Sequence, residues 1–252
     1  MSEVTTQVEN GVLVMTINRP EAKNAVNRAV AEAMAAAMDE LDANNDLRVG
    51  IVTGAGGTFC SGMDLKAFLT GELPVVKGKG FAGFVESPPK KPLIAAVDGY
   101  ALAGGMEVAI TCDLLVANAK AQFGIPETKR GLAAAAGGLM RLPRQVPPRI
   151  AMELALTGDF ISAQRGYEIG FVNRVVETPA IDGALELAAK ISANGPLAVR
   201  VSKQVIVESR GWSDEEMWAK QQAIVGAVIV SQDAREGAAA FAQKRAPNWT
   251  GK

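Results

Sequence analysis

Twice in this chain a short apolar run ends in glycines and leads into a short helix-forming segment. Residues 49–69 read as a buried strand, a turn GAGGTFCSGMD and a helix; residues 93–111 read as a strand LIAAV, a turn with a Gly-Gly pair and a helix. The recurrence predicts an α/β core that winds as a spiral of strand, turn and helix units. Around it, residues 5–8 and 12–17 flank Asn10-Gly11 as a hairpin. A helix is expected over 28–43, where Val30, Met34, Met38 and Leu41 share one face. Residues 114–117 give another strand, and 70–91, rich in Gly, Pro and Lys, a mobile connection over a site or a surface. From Pro143 the pattern turns helical. Ser162 caps a helix ended by Gly170, a last strand covers 171–176, and helices follow near 181–192, 196–209, 214–230 and 233–243, with Ser213 and Glu216 as a capping box. The apolar face of Ile224, Val225, Val228 and Ile229 suits packing within the chain or contacts between three copies of it.

The chain has no histidine, so acid and base chemistry falls to carboxylates. In a helix over 104–111, Gly104 lies in the first turn, where N–H groups lack partners and the dipole is positive. Glu107 follows at i+3 on about the same face. Two readings fit: a close-packed turn with a buried, satisfied glutamate, or an oxyanion donor beside a base, the pairing that makes an enolate from a carbonyl compound.

Composition narrows the alternatives. At 252 residues, the chain suits one large α/β domain, alone or with a helical appendage. Lys+Arg 26 against Asp+Glu 27 leaves a net charge of -1, so no global basic field recruits nucleic acid or an anionic membrane. Cys60 and Cys112 lack metal or redox spacing and read as reduced and buried, and no metal site is expected. The loop from Gly54 fails as a dinucleotide fingerprint, because its sixth position is Phe59, and no Gly-Lys-Ser/Thr follows to make a P-loop. No signal peptide is evident, and Asp98, Glu107 and Asp113 interrupt the apolar stretches, so a cytoplasmic protein with no membrane span is expected.

INRPEAKNAVN at 17–27, FCSGMDL at 59–65, DGYALAGGMEVAITCDL at 98–114, FGIPE at 123–127 and FAQKRAPNWTGK at 241–252 together resemble the crotonase superfamily of enoyl-CoA hydratases and isomerases. The resemblance implies an α/β spiral of ββα units over residues 1–195 and a C-terminal helical region over 196–252 used in trimers or pairs of trimers. It also implies an acyl-CoA thioester as substrate and no separate cofactor. The backbone N–H groups of Met63 and Gly104 would hold the thioester oxygen. Ser61, Asp64 and Leu65 would line the CoA path, Ala25 would lie near the adenosine, and Phe241 and Lys244 would reach the CoA of this or a neighbouring subunit.

Glu107 and Glu127 match the two glutamates of the hydratase branch. Glu107 would take a proton from water, and Glu127 would serve the α-carbon. Ala103 stands where many members have glycine, Asp98 where many have asparagine, and residues 132–138 where hydratases often carry a Pro-Gly run. The last departure borders the acyl pocket, and PETKRGL is similar to carnitinyl-CoA dehydratase-like members. Isomerisation of a 3-enoyl-CoA, which needs one glutamate, and an inactive binding module are the alternatives. An RNA-binding module is disfavoured, since the helix over 28–43 carries Glu32, Asp39, Glu40 and Asp42 but no lysine.

Overall fold

The computed structural model describes residues 2–252. The chain opens with β1 (Val4–Glu9) and β2 (Val12–Ile17), paired antiparallel through a turn in which Asn10 and Gly11 both have positive φ. Next come α1 (Arg28–Ala43), β3 (Val49–Gly54), α2 (Leu65–Leu69), a small hairpin of β4 (Val75–Val76) and β5 (Gly80–Phe81), β6 (Leu93–Val97), β7 (Tyr100–Leu102) and α3 (Gly104–Thr111). Then β8 (Leu114–Asn118), β9 (Gln122–Gly124), α4 (Gly138–Gln145), α5 (Pro148–Thr157), β10 (Ile161–Ser162), α6 (Ala163–Ile169) and β11 (Arg174–Val176) complete the sheets. The chain ends in α7 (Ala180–Ser192), α8 (Pro196–Glu208), α9 (Met217–Ile229) and α10 (Gln232–Ala242).

The large sheet has the order β1-β2-β3-β6-β8-β11 and is parallel from β2 onward. Its two faces follow the period-2 geometry of strands. Ile51, Ile94, Ala96 and Val116 point to a core closed by Ala180, Ala184 and Ala188 of α7. Met15, Val52, Ala95 and Val97 point the other way, toward Met34, Met38 and Leu41 of α1 and toward Phe59, Ala101 and Phe123. Coverage of both faces is why β3 and β6 read as unbroken apolar runs.

A second layer grows from the same repeat. The bridges Val26↔Met63 and Cys60↔Ala101 continue into the pairs Ala101↔Phe123 and Phe123↔Ile161. Each turn of the spiral thus gives one strand to the large sheet and an extended piece to the second row. The structure contains three such turns: β3 with residues 60–63 and α2, β6 with β7 and α3, and β8 with β9 and a 3-10 helix at Pro126–Arg130. The third is hidden in the sequence because no glycine-rich loop separates β8 from β9 and no α-helix follows.

Several boundaries differ from expectation. The connection 70–91 holds the β4–β5 hairpin and a core piece, with Ala82, Phe84 and Val85 buried. The last strand shrinks to Arg174–Val176, α4 begins at Gly138, and α9 begins at Met217. Of the capping box, only the Ser213 N–H to Glu216 carboxylate bond forms, at 3.4 Å, ahead of the helix. Asp98, by contrast, gains a role: its carboxylate accepts the Ala180 N–H at 3.2 Å and so caps α7 from across the sheet end.

Asn24 fastens the entry to this spiral. It is fully buried, accepts the Arg19 N–H at 2.9 Å, and donates to Ala55 O at 2.8 Å and Thr58 O. Replacement by alanine strands one buried donor and two acceptors. Asn24→Ala is expected to lose about 2–4 kcal/mol of stability in denaturant unfolding.

Candidate active site

The loop after β3 and the turn after β6 meet backbone to backbone. The Cys60 N–H donates to Tyr100 O at 2.9 Å, and the Leu102 N–H to Cys60 O at 3.0 Å. On the loop's other side the Val26 N–H donates to Gly62 O at 2.8 Å and the Asp64 N–H to Val26 O at 2.9 Å. In this parallel bridge the Met63 N–H faces away from Val26. The Gly104 N–H, at the first position of α3, has no acceptor within its helix. Among the described residues neither N–H is hydrogen-bonded. Gly62 brings the two together: a Cβ there would lie 3.0 Å from the Gly104 nitrogen and 2.9 Å from the Ala103 Cβ. Phe81 lies against Gly104, its Cζ 2.6 Å from where a side chain would begin.

Ala103 sets the turn with φ 53° and ψ −128°, backbone space that favours glycine. The missing third glycine therefore leaves the geometry in place at a cost of about 1–3 kcal/mol.

Glu107 stands one turn into α3 and is 3% exposed. Its Oε1 accepts the Gly138 N–H at 2.7 Å. Gly138 is the first residue of α4, so the carboxylate occupies the positive end of that helix. A Cβ on Gly138 would lie 2.9 Å from Oε1. Burial pushes the Glu107 carboxyl up to about 7; the Gly138 N–H pulls it back, and the charge of Glu127 pushes it further up. Glu127 lies in the 3-10 turn after β9, and its Oε2 is buried without a hydrogen-bond partner. Burial raises this carboxyl too, against its own N–H and Arg130. Arg141, one turn into α4, bonds Ala136 O and Val85 O and draws Glu107 downward.

The expected CoA-facing residues form a second cluster around the Val26–Met63 bridge. Arg19 joins them, donating to Ala25 O at 2.6 Å and pairing with Asp64 Oδ2 at 3.0 Å. Burial tends to raise the Asp64 carboxyl, but the Ala67 N–H, Arg19 and the Lys66 N–H hold it below the ordinary aspartate range. The same carboxylate caps α2, so Leu65 begins that helix and Ser61 sits just ahead, its N–H on Lys23 O. Phe241 and Lys244 are not brought here by a hydrogen bond. Phe241 lies on α10 with 88% of its surface exposed, and Lys244 follows with φ 53°.

Sequence reasoning missed Arg19 and Gly138. Arg19 lies in INRPEAKNAVN at 17–27, where nothing local marks its role, and Gly137-Gly138 before an amphipathic helix repeats the signal that marked Gly104.

The chain belongs to the enoyl-CoA hydratase/isomerase family, whose model matches residues 7–252. It is 43% identical over 249 residues to the enoyl-CoA hydratase EchA19 of Mycobacterium tuberculosis, covering 94% of this chain and 92% of that one. It is 39% identical over 250 residues to the carnitinyl-CoA dehydratase of Proteus mirabilis, covering 96% and 95%. The crystal structure of enoyl-CoA hydratase EchA1 from Mycobacterium marinum superposes with a TM-score of 0.98 at 58% identity, covering 100% of both chains. The crotonase fold expected from the motifs is thus the fold found.

Two stability predictions follow from strain and burial. Ala103→Gly relieves the turn but frees the unfolded chain, and a net gain of about 1 kcal/mol is expected in denaturant unfolding. For Glu107 the native carboxyl titrates near 7 and the unfolded one near 4.5. The native state binds more protons between these values, so this group lowers stability as pH rises through that window. Glu107→Gln should therefore unfold roughly 2–3 kcal/mol later than the parent at pH 8 and show no such gain at pH 4.

Proposed function

We propose that this chain is a hydro-lyase that reversibly adds water across the 2,3-double bond of a 2-enoyl-CoA. The carrying observation is the buried Glu107 and the half-buried Glu127, whose charge bears on it, on the spiral that also presents two unbonded N–H groups, of Met63 and Gly104. The thioester oxygen accepts both N–H bonds, each worth about 3 kcal/mol as negative charge develops on it. Only backbone is needed there, so Met63 requires no chemical side chain.

In hydration, Glu107 accepts a proton from water as the hydroxyl oxygen bonds the β-carbon. The π electrons move onto the enolate, and protonated Glu127 gives its proton to the α-carbon. A proton passed from Glu107 to Glu127 resets the pair. Dehydration runs the same steps backward: Glu127 removes the α-proton and Glu107 protonates the leaving hydroxyl. Burial raises both carboxyls, Glu107 to about 7, which favours retention of a proton on the pair, as both directions require. Every proton is moved by these side chains, so the reaction is assigned no separate cofactor; CoA is part of the substrate.

Ala25, Ser61, Asp64 and Leu65 are assigned to the CoA path, with Arg19 as the tie that fixes it. Residues 1–195 form the catalytic core, and 196–252 the region that assembles trimers or pairs of trimers. Support comes from α8 and α9, which bury no residue within the chain, and from the exposed Ile206, Trp218, Ile229, Val230 and Phe241. Phe241 and Lys244 would then complete a neighbour's CoA site. No helix among the described residues is long and apolar enough to cross a membrane; a cytoplasmic location is proposed. The acyl group takes a second reading, a crotonobetainyl-type chain, favoured by PETKRGL at 126–132 and by likeness to a carnitinyl-CoA dehydratase.

Loss of the 2,3-double-bond absorbance, followed with short, long, branched and crotonobetainyl CoA thioesters, tests the activity and ranks the acyl groups. Glu107→Gln and Glu127→Gln should each lose about 10²–10⁴-fold in kcat with KM little changed. Abolished hydration of crotonyl-CoA in Glu107→Ala but not in Glu127→Ala would overturn the pairing of roles. Double-bond migration without hydration would overturn the hydro-lyase reading in favour of isomerisation.

A further inference from the structure

The catalytic loops leave the carboxyl ends of β3 and β6. At the other end, where these strands begin, lies a separate cavity of about 280 Å³. Arg48 and Lys91 line it from the residues before β3 and β6, and Arg200 from α8. Lys91 is 6% exposed and donates to Asn44 O at 2.6 Å. Among the described residues, none of the three cations has a carboxylate within 4.0 Å.

The carboxylates nearby are committed elsewhere. Asp42 accepts the N–H groups of Lys90 and Lys91, Asp113 accepts Lys203 Nζ, and Asp233 holds Thr250 and Gly251. The exposed Asp46 opposes the cations from the rim, as does Asp42. Burial lowers the Lys91 ammonium; Asp42 raises it, and Arg200 and Arg48 lower it further.

Two neutral features point the same way. Ser192 lines the cavity, and its Oγ is buried without a hydrogen-bond partner. Pro196 and Leu197 line it from the first turn of α8; Pro196 carries no N–H, and the Leu197 N–H lacks an acceptor within the helix. The carbonyls ending α7 are meanwhile capped: Ala193 O accepts Trp249 Nε1, and Ile191 O and Lys190 O accept from Asn194. The charged side chains that line the cavity, Arg48, Lys91, Arg200 and Lys252, are all cations.

We propose that this cavity binds a phosphate-bearing anion, at a site distinct from the one proposed for acyl-CoA. Guanidinium forks at Arg48 and Arg200 suit phosphate oxygens, the Lys91 ammonium supplies a buried point charge, and the Ser192 hydroxyl and the Leu197 N–H add neutral donors.

Isothermal titration and thermal unfolding with inorganic phosphate, at ionic strength matched by chloride and with free CoA saturating its own site, test the proposal. Phosphate should raise Tm above the chloride control. Affinity should fall roughly tenfold or more in Arg48→Gln/Arg200→Gln, and also in Arg200→Glu, whose side chain is exposed in the single chain. Hydration of crotonyl-CoA in phosphate-free buffer should stay within about twofold. ADP binding more tightly than phosphate, with the same loss in Arg200→Glu, would assign the phosphate to a nucleotide; equal affinity would assign it to the free ion. No shift beyond chloride, or equal binding by parent and Arg200→Glu, would overturn the site. A changed oligomeric mass in Arg200→Glu would overturn it as well, giving the cations to a second copy of this chain.

Discussion

The chemistry proposed for this molecule depends on two backbone segments approaching closer than side chains would allow. Cys60 shares ladder hydrogen bonds with Tyr100 and Leu102, and Gly62 fits where a methyl group would touch the Gly104 nitrogen. That approach brings the unbonded Met63 and Gly104 N–H groups, from separate turns of the spiral, into one region. It is anchored from both sides, by Val26 on the outer edge and by Phe123 on the inner one. Donors held this way need no reorganisation when charge develops, which is what makes such sites effective.

The same region carries costs that the rest of the fold absorbs. Ala103 adopts a glycine-like conformation, Glu107 is buried with its proton affinity raised, and one Glu127 oxygen has no partner. Each is destabilising alone. They are offset by a core that is apolar on both faces of the large sheet, closed by α7 on one side and α1 on the other. The cap that Asp98 places on α7 links the two: the residue that begins the DGYALAGG turn also fixes the helix covering the sheet.

Much of this was legible in the sequence because local chemistry agreed with global packing. Helix 28–43 has its apolar face at regular spacing and Asn27 as its cap, and β6 lies where the apolar run lies. The Gly104 helix starts where its orphan N–H groups were expected, and Glu107 falls inside it. What could not be read is set by distant partners. Gly138 meets Glu107 across 31 residues, and Asn24 reaches Thr58 across 34. The third turn of the spiral lacked both the glycine loop and the α-helix that made the first two visible. Residues 70–91 looked like a loose connection because Gly and Pro dominate them, yet Phe84 is wholly buried. Turn residues report where a chain bends, not whether the bend is covered.

The hydrogen bond from Gly138 to Glu107 has a consequence for how such a protein can diversify. The segment 132–138 departs from the hydratase pattern beside the expected acyl pocket, and it leads directly into the N–H that steadies the carboxylate. On the proposed reading, acyl-group shape and the proton affinity of Glu107 are set through one stretch of backbone. On that reading, a lineage that reshapes this segment for another acyl group would also move the donor that holds Glu107, so new specificity would bring a new proton affinity at that carboxylate unless Arg141 or Glu127 shifted in compensation.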